Sequence, residues 1–181
     1  MAETRKLKSR WQRDGIYDKY ITGQGIDIGC GRNVGDSDPI SDVNCIHHDR
    51  DDCDATTMAK YADNTFDYVY SSHVIEHLSD PVTAVANWVR ICKPGGYVII
   101  YAPHRDYYEG KKQLPSDFNH EHKYYYLTER SEPPCTFSMK DLISGHGCEV
   151  IFCRDANEGW SKKEGEHGKG EYSIEAVMQK L

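Results

Sequence analysis

The 181-residue sequence lacks paired cysteines. Its seven cysteines stand singly, and no two of them have Cys-x-x-Cys spacing. Disulfide-rich secreted domains and structural zinc sites depend on closely spaced cysteines, so both classes are disfavoured. An odd number of isolated thiols is typical of a reducing compartment, and we predict a cytoplasmic location.

Long hydrophobic runs and an excess of positive charge are also missing. No stretch approaches the roughly 20 apolar residues of a membrane helix, and the first residues lack the apolar segment of a secretory signal. We therefore predict no membrane partner. Acidic residues outnumber Lys and Arg by 29 to 22, which gives a net charge of −7. A negative surface repels phosphate backbones and disfavours nucleic acid as a partner.

No internal repeat or linker divides the chain, and its length suits one α/β domain. We predict a single domain over residues 1–181 that begins with a helical segment, residues 1–22. The clearest helix lies near 81–92, where Asp80 is placed as N-cap and Pro81 as first helical residue. Strand signals occur near residues 25–28, 44–48, 66–70, 96–101, 148–153 and 172–178. Alternation of strands and helix predicts a parallel sheet, and the last two strands predict an antiparallel pair at its edge.

A glycine-rich turn follows the first predicted strand, in the run Asp27-Ile28-Gly29-Cys30-Gly31-Arg32-Asn33. Glycines at alternate positions let the backbone approach a ligand closely, and ligands of open α/β sheets bind beyond the carboxyl ends of the strands. By itself this turn fits NAD, S-adenosylmethionine (SAM) or a simple tight turn. Asp49 ends the next strand, where an acid can accept hydrogen bonds from both ribose hydroxyls of NAD or SAM.

Charge discriminates between the two cofactors. Residues 36–54 contain seven aspartates and one arginine. A pyrophosphate is poorly placed beside such a cluster, whereas SAM carries no phosphate and has a cationic sulfonium. The dinucleotide fingerprint also expects a third small residue where this sequence has Val34. We therefore favour SAM.

Five motifs then occur in order: DIGCGRN, the acid Asp49, the pair Cys53-Asp54, the stretch ADNTFDYVYSSHVIEHL and the turn KPGG. Together they resemble class I SAM-dependent methyltransferases, and most closely the methyltransferase type 11 group, over about residues 23–103. The resemblance implies an α/β, Rossmann-like, doubly wound fold. Its sheet is expected to be mostly parallel and seven-stranded, with an antiparallel C-terminal edge strand.

The sequence departs from the family pattern at two places. Asn33 replaces the usual third glycine, which asparagine tolerates because it can adopt a left-handed conformation. The interval from Asp49 to Asp54 leaves no room for the helix that normally joins the second and third strands, and residues 34–43 have poor helical character.

The resemblance also implies a set of cofactor contacts. Asp27, Gly29, Cys30 and Gly31 are expected around the amino-acid part of SAM, Asp49 and Arg50 near the ribose, Asp54 and Ala55 at the adenine, and Ser71 and Ser72 on the methionine side. Simpler interpretations remain open for some of these residues. Asp27 could cap backbone amides, and the two serines could merely end a strand.

Histidines gather where the acceptor should lie. His73 and His77 flank Glu76 and are interpreted as the start of a helix, while His104 follows the strand at 96–101. We predict His73 and His104 as the catalytic candidates. A core or capping role is the alternative for these histidines. The segment 104–134 follows, rich in tyrosine and histidine. We interpret it as an acceptor-binding insertion, or alternatively as an element whose aromatic residues complete the core.

No metal site is predicted. His73 and His77 have a spacing that can bind zinc, but no third ligand is evident in the sequence. The run Asn119-His120-Glu121-His122 was weighed as a second metal site and disfavoured.

The predicted function is methyl transfer from SAM to an O or N atom of a small-molecule or glycan-type acceptor. Oxygen is favoured because histidines suited to act as bases gather near the acceptor edge. One alternative is a non-catalytic SAM-binding regulatory or partner subunit. A less favoured one is an NAD(P)-dependent oxidoreductase, for which the sequence lacks a Tyr-x-x-x-Lys pair after the fourth strand.

Overall fold

A computed structural model describes residues 2–31 and 39–181. The interpretations of Asn33, of Val34 and of the first half of segment 34–43 lie outside the described residues. Within the described ranges, no helix is both long and apolar enough to cross a membrane. The helices are α1 (Ala2–Arg13), α2 (Tyr17–Tyr20), α3 (Pro81–Ile91), α4 (Arg105–Tyr108) and α5 (Met139–Ile143). The strands are β1 (Gly25–Ile28), β2 (Cys45–His48), β3 (Phe66–Ser72), β4 (Cys92–Pro103), β5 (Tyr125–Leu127), β6 (Thr136–Ser138), β7 (Cys148–Ala156) and β8 (Ser173–Lys180).

Six strands form the main sheet, in the order β2-β1-β3-β4-β8-β7. β2, β1, β3 and β4 pair in parallel, and β8 pairs antiparallel with both β4 and β7. The predicted Rossmann-like, mostly parallel α/β fold is therefore confirmed. The antiparallel strand is the C-terminal β8, but it lies one position inside the edge strand β7.

The predicted strand count of seven is wrong by one, because residues 49–65 between β2 and β3 form turns. Side chains of α3 bind this segment instead of a neighbouring strand. Trp88 Nε1 donates to the carbonyl of Ala55 at 2.8 Å, and Asn87 Nδ2 donates to the carbonyl of Thr56 at 3.0 Å. Arg90 donates to further carbonyls in the same segment. Backbone groups that a strand would pair are thus satisfied without one.

Helix α3 begins as predicted. The side chain of Asp80 accepts a hydrogen bond from the Thr83 amide at 3.0 Å, and Pro81 occupies the first turn, where its missing N–H is not needed. The strand that follows starts at Cys92, earlier than the sequence predicted, and includes the KPGG turn.

Two apolar layers cover the sheet. In β4, Val98, Ile100 and Ala102 pack toward α3 and α5, while Ile99 and Tyr101 pack toward α1 and α2. Successive strand residues point to opposite faces, so this alternation places helices on both sides of the sheet.

The N-terminal helix is held to the sheet by a buried carboxylate. Glu175 in β8 is fully buried and pairs with the guanidinium of Arg10 in α1. Trp11 Nε1 donates to the same side chain at 3.2 Å, and Arg154 Nε donates to it at 2.6 Å. All of these donors face one carboxylate, so its charge is compensated within the fold.

We predict that Glu175→Ala lowers the free energy of unfolding by about 3 kcal/mol, because it removes the carboxylate that Arg10, Trp11 and Arg154 share and leaves Arg10 with Glu171 alone. Chemical denaturation monitored by circular dichroism measures the change. The matched control is Glu166→Ala, which removes an exposed ion pair with Lys169 and should cost under about 1 kcal/mol. Equal losses in the two variants would contradict a structural role for the buried network.

Candidate cofactor and acceptor site

A cleft of about 710 Å³ opens at the carboxyl ends of β1, β2 and β3. Six of the predicted cofactor residues line it together, although they come from three separate segments of the chain. Its lining consists of Gly29, Gly31, His48, Asp49, Arg50, Cys53, Asp54, Ala55, His73, Val74, His77, Leu78, Asn119 and Glu121.

The glycine turn forms one wall of the cleft. The backbone amides of Gly29 and Cys30 both donate to the carbonyl of His48, at 2.9 and 3.2 Å, which ties the turn to the end of β2. Gly29 has a φ of +78°, and a Cβ atom there would overlap the side chain of Val74. Both the backbone angle and the close approach therefore require glycine.

The acidic residues after β2 form the adjoining wall. Asp49 Oδ1 accepts from the amide of Arg50 at 2.7 Å, and the Asp49 amide donates to Asp52 Oδ2 at 3.0 Å. Asp54 Oδ1 accepts from the amide of Thr56 at 2.7 Å. These local bonds fix the turns, so both carboxylates are held at the cleft without a helix behind them.

Four predicted cofactor residues do not line the cleft. Asp27 is 2% exposed, and its Oδ2 accepts from the amide of Ile40 at 2.7 Å, as expected of a residue that caps a backbone amide. Cys30 is buried in the turn. Ser71 is buried and Ser72 half-buried at the end of β3.

His73 lies in the cleft with an unusual backbone. Its φ is +53°, and its amide donates to the carbonyl of Tyr101 at 2.7 Å. Its Nε2 lies 3.1 Å from Ser173 Oγ. Burial lowers the pKa of His73 to about 3, with a further contribution from the neighbouring His122 and His77. The ring is therefore neutral at pH 7.

The predicted helix start at His73 is wrong. The structure has only a 3-10 turn, Ile75–His77, because His73 itself has a left-handed backbone that a helix does not continue. His73 and His77 both reach the cleft, but not as successive turns of one helix.

His104 lies outside the lining of this cleft. It precedes α4, its ring stacks on Tyr107 with centroids 4.1 Å apart, and its Nε2 is 3.9 Å from Asp155 Oδ1. Burial lowers its pKa, although Asp155 opposes that shift.

The 104–134 segment reaches the cleft through its middle. The amides of Lys123 and Tyr124 donate to the backbone carbonyl of Glu76, at 2.8 and 3.3 Å. This docking brings Asn119 and Glu121 into the cleft lining, whereas Tyr125 and Tyr126 are buried. The burial of Tyr125 and Tyr126 agrees with the interpretation that aromatic residues of the segment complete the core, and the acceptor-binding interpretation stays a prediction.

Sequence reasoning missed several residues of the lining. His48 could have been found, because it ends a parallel strand at the same edge as Asp49. No local pattern pointed to Asn119 or Glu121, whose place depends on the docking of a long connection. These missed residues are His48, Cys53, Val74, Leu78, Asn119 and Glu121. His77 is one of the histidines that the sequence places at the acceptor edge, although it is not one of the two catalytic candidates.

A model of the methyltransferase domain family matches residues 39–100, which include Asp49, Asp54 and His73. This match identifies residues 39–100 as part of a methyltransferase domain. The cofactor of this methyltransferase domain is SAM, and the NAD alternative is set aside. An uncharacterized methyltransferase of Schizosaccharomyces pombe is 53% identical over 38 residues, which are 21% of this chain and 14% of the relative.

Solved methyltransferases share the fold of this methyltransferase domain. A SAM-dependent methyltransferase from Thermotoga maritima is 18% identical with a TM-score of 0.55, and the match covers 100% of both chains. A methyltransferase in complex with the Haloferax volcanii Trm112 methyltransferase activator is 12% identical with a TM-score of 0.58; the match covers 98% of this chain and 92% of that one.

We predict that Gly29→Ala destabilises the methyltransferase domain by about 1–3 kcal/mol more than Gly165→Ala does. Both positions have a similar positive φ, +78° and +77°, so alanine is strained at each. Only at Gly29 does the added methyl group meet a neighbour, because nothing lies within 4 Å of the corresponding position at Gly165. Thermal and chemical unfolding of the two variants measures the difference in stability. Equal destabilisation would show that the close approach of Val74 does not constrain residue 29.

Proposed function

We propose that the chain transfers a methyl group from SAM to an O or N atom of a small-molecule or glycan-type acceptor. One observation carries the proposal. A single cleft joins the glycine turn and the acids Asp49 and Asp54 to His73 and to residues of the 104–134 segment. A cofactor on the first side and an acceptor on the second would share one enclosed space.

The cofactor side fits SAM in shape and charge. Gly29 and Gly31 of the turn line the cleft where we place the amino-acid part, with Cys30 and Asp27 behind them. We assign Asp49 and Arg50 to the ribose and Asp54 and Ala55 to the adenine, and their common place in the cleft lining supports this assignment. Carboxylates at the cleft favour a cationic sulfonium and disfavour a pyrophosphate. Ser71 and Ser72 remain candidates for the methionine side only through their place at the end of β3.

Methyl transfer from a sulfonium is a direct displacement. The acceptor atom forms a bond to the methyl carbon while the carbon–sulfur bond breaks, which leaves S-adenosylhomocysteine. The main tasks of the protein are to align the two reactants and to exclude water from between them. Lining by Asn119 and Glu121 supports the 104–134 segment as the acceptor-side element.

His73 is the acceptor-side histidine that the cleft supports. It lines the cleft, and its ring is neutral at pH 7, with Nε2 beside Ser173 Oγ. The second catalytic candidate, His104, is not supported by the lining of the cleft and remains a prediction from the sequence alone. Cytoplasmic location also remains a prediction.

A partner-dependent role is the second candidate function. One structural neighbour was solved in complex with a methyltransferase activator. A chain of this kind could bind SAM and need a partner subunit for turnover, or could itself serve a partner without turnover. Conversion of SAM to S-adenosylhomocysteine by the purified chain with an acceptor library separates the first function from the second.

Calorimetric titration with SAM, S-adenosylhomocysteine and NAD tests the cofactor. We expect micromolar binding of both sulfur ligands and none of NAD, after copurified ligand has been excluded by mass spectrometry. Binding of NAD alone, or of nothing in a ligand-free sample, would overturn the proposal.

We predict that Asp49→Ala weakens SAM binding by about 1–3 kcal/mol, because the ribose hydroxyls lose their acceptor. Asp51→Ala is the matched control, since Asp51 carries the same charge two residues away and is absent from the cleft lining. Calorimetry of both variants measures the effect. If the control weakens binding as much as Asp49→Ala, general electrostatics accounts for the loss and the ribose assignment fails.

A further inference from the structure

A buried carboxylate lies beside the cleft with three imidazoles around it. Glu76 is 1% exposed. Its Oε1 lies 3.7 Å from His77 Nε2, 3.9 Å from His122 Nε2 and 3.8 Å from His73 Nδ1. All three distances are too long for hydrogen bonds and too short for unrelated groups.

This carboxylate has no partner among the described residues. Neither oxygen of Glu76 takes part in a hydrogen bond, and no Lys or Arg of the described chain forms an ion pair with it. The Nδ1 atoms of His77 and His122 are likewise buried without a partner. Burial of an unpaired carboxylate costs several kcal/mol of free energy. A bound cation would therefore stabilise this cluster.

The geometry suits a metal ion. Ligand atoms of Glu76, His77 and His122 all lie within 4.8 Å of one another. Bonds of about 2.0–2.1 Å around a tetrahedral ion place its ligands about 3.4 Å apart. The separations from Glu76 Oε1 exceed that value by only a few tenths of an ångström, and the widest pair, at up to 4.8 Å, closes by side-chain rotation when the ion binds.

The cluster is also held in place by the backbone. His122 follows Asn119, whose carbonyl accepts its amide at 3.1 Å, and the next two amides bind the Glu76 carbonyl. Because the same residue supplies the carbonyl and the carboxylate, docking of the 104–134 segment fixes His122 next to Glu76.

We propose that Glu76, His77 and His122 bind a divalent transition-metal ion of the zinc class beside the acceptor end of the cleft. Two imidazoles and one carboxylate favour such an ion over Mg²⁺, which prefers oxygen ligands.

Three protein ligands leave one coordination position for an oxygen atom. The acceptor class that this site selects is a hydroxyl compound, a conclusion that rests on the proposed methyl transfer. Coordination lowers the pKa of a hydroxyl, which gives its proton to solvent. The resulting oxygen forms the bond to the methyl carbon, the carbon–sulfur bond breaks, and S-adenosylhomocysteine leaves with the electron pair.

The role of His73 in this arrangement is positioning. Its Nε2 contacts Ser173, and its Nδ1 faces the same carboxylate oxygen. It is not one of the three mutually close ligands.

The test uses the untagged full chain, stripped with chelator and titrated with Co²⁺ and then with competing Zn²⁺. We expect one equivalent of Co²⁺ with visible d–d absorption and displacement by Zn²⁺. The near-ultraviolet thiolate band should be absent, because no cysteine is a ligand. We predict that His122→Ala weakens Co²⁺ binding at least about 100-fold, more than loss of a second-shell partner costs.

His120→Ala is the matched control, since His120 is exposed and only two residues away. It should bind Co²⁺ as the parent chain does. Glu76→Gln, which keeps the shape of the side chain, serves as a second ligand variant if His122→Ala fails to fold by circular dichroism. Absence of Co²⁺ binding, a sulfur charge-transfer band, or unchanged affinity in the ligand variants would each overturn the proposal.

SAM affinity is measured on the same stripped sample. SAM binding without Co²⁺ binding rejects the metal site and leaves methyl transfer standing. Co²⁺ binding without SAM binding supports the metal site and rejects the proposed cofactor site.

Discussion

The backbone carbonyl of Glu76 is the point on which the acceptor side of the site depends. It accepts two amide hydrogen bonds from the 104–134 segment, and Lys123 Nζ adds a bond to Ser79 Oγ at 2.6 Å. Since Glu76 lies in the turn that follows β3, this docking sets a long connection against the carboxyl edge of the sheet. Asn119 and Glu121 reach the cleft, and His122 reaches the buried carboxylate, only because of these bonds.

The cofactor side depends on hydrogen bonds donated by side chains of helix α3. The family's extra strand and helix are missing between β2 and β3, yet Asp54 and Ala55 still line the cleft. Turns replace the missing strand and helix, and α3 holds these turns in place. Trp88 and Arg90 of α3 donate hydrogen bonds to their carbonyls. A short chain can thereby retain an adenine-side wall without the additional layer, since side-chain donors satisfy backbone groups as well as a strand would.

The two sides of the cleft differ in chemistry. Backbone and exposed carboxylates form the cofactor side, which suits a ligand that carries positive charge. Imidazoles and one desolvated carboxylate form the acceptor side; burial raises the pKa of Glu76 to about 8. Ionisation of a buried carboxyl costs free energy when no positive charge lies beside it. The positive charge that accompanies Glu76 therefore determines the chemistry of the acceptor side.

The sequence by itself determined the strand–helix alternation, the N-cap of α3, the glycine turn and Asp49, because each is encoded by neighbouring residues through turn chemistry and apolar periodicity. It also carried the resemblance that named the cofactor. Only the tertiary structure decided that the sheet has six strands, that His104 lies away from the cleft, and that His122 meets His77 from 45 residues further along the chain. These outcomes depend on hydrogen bonds that the 104–134 segment and α3 form with carbonyls far away in the sequence. No local pattern specifies such distant hydrogen bonds.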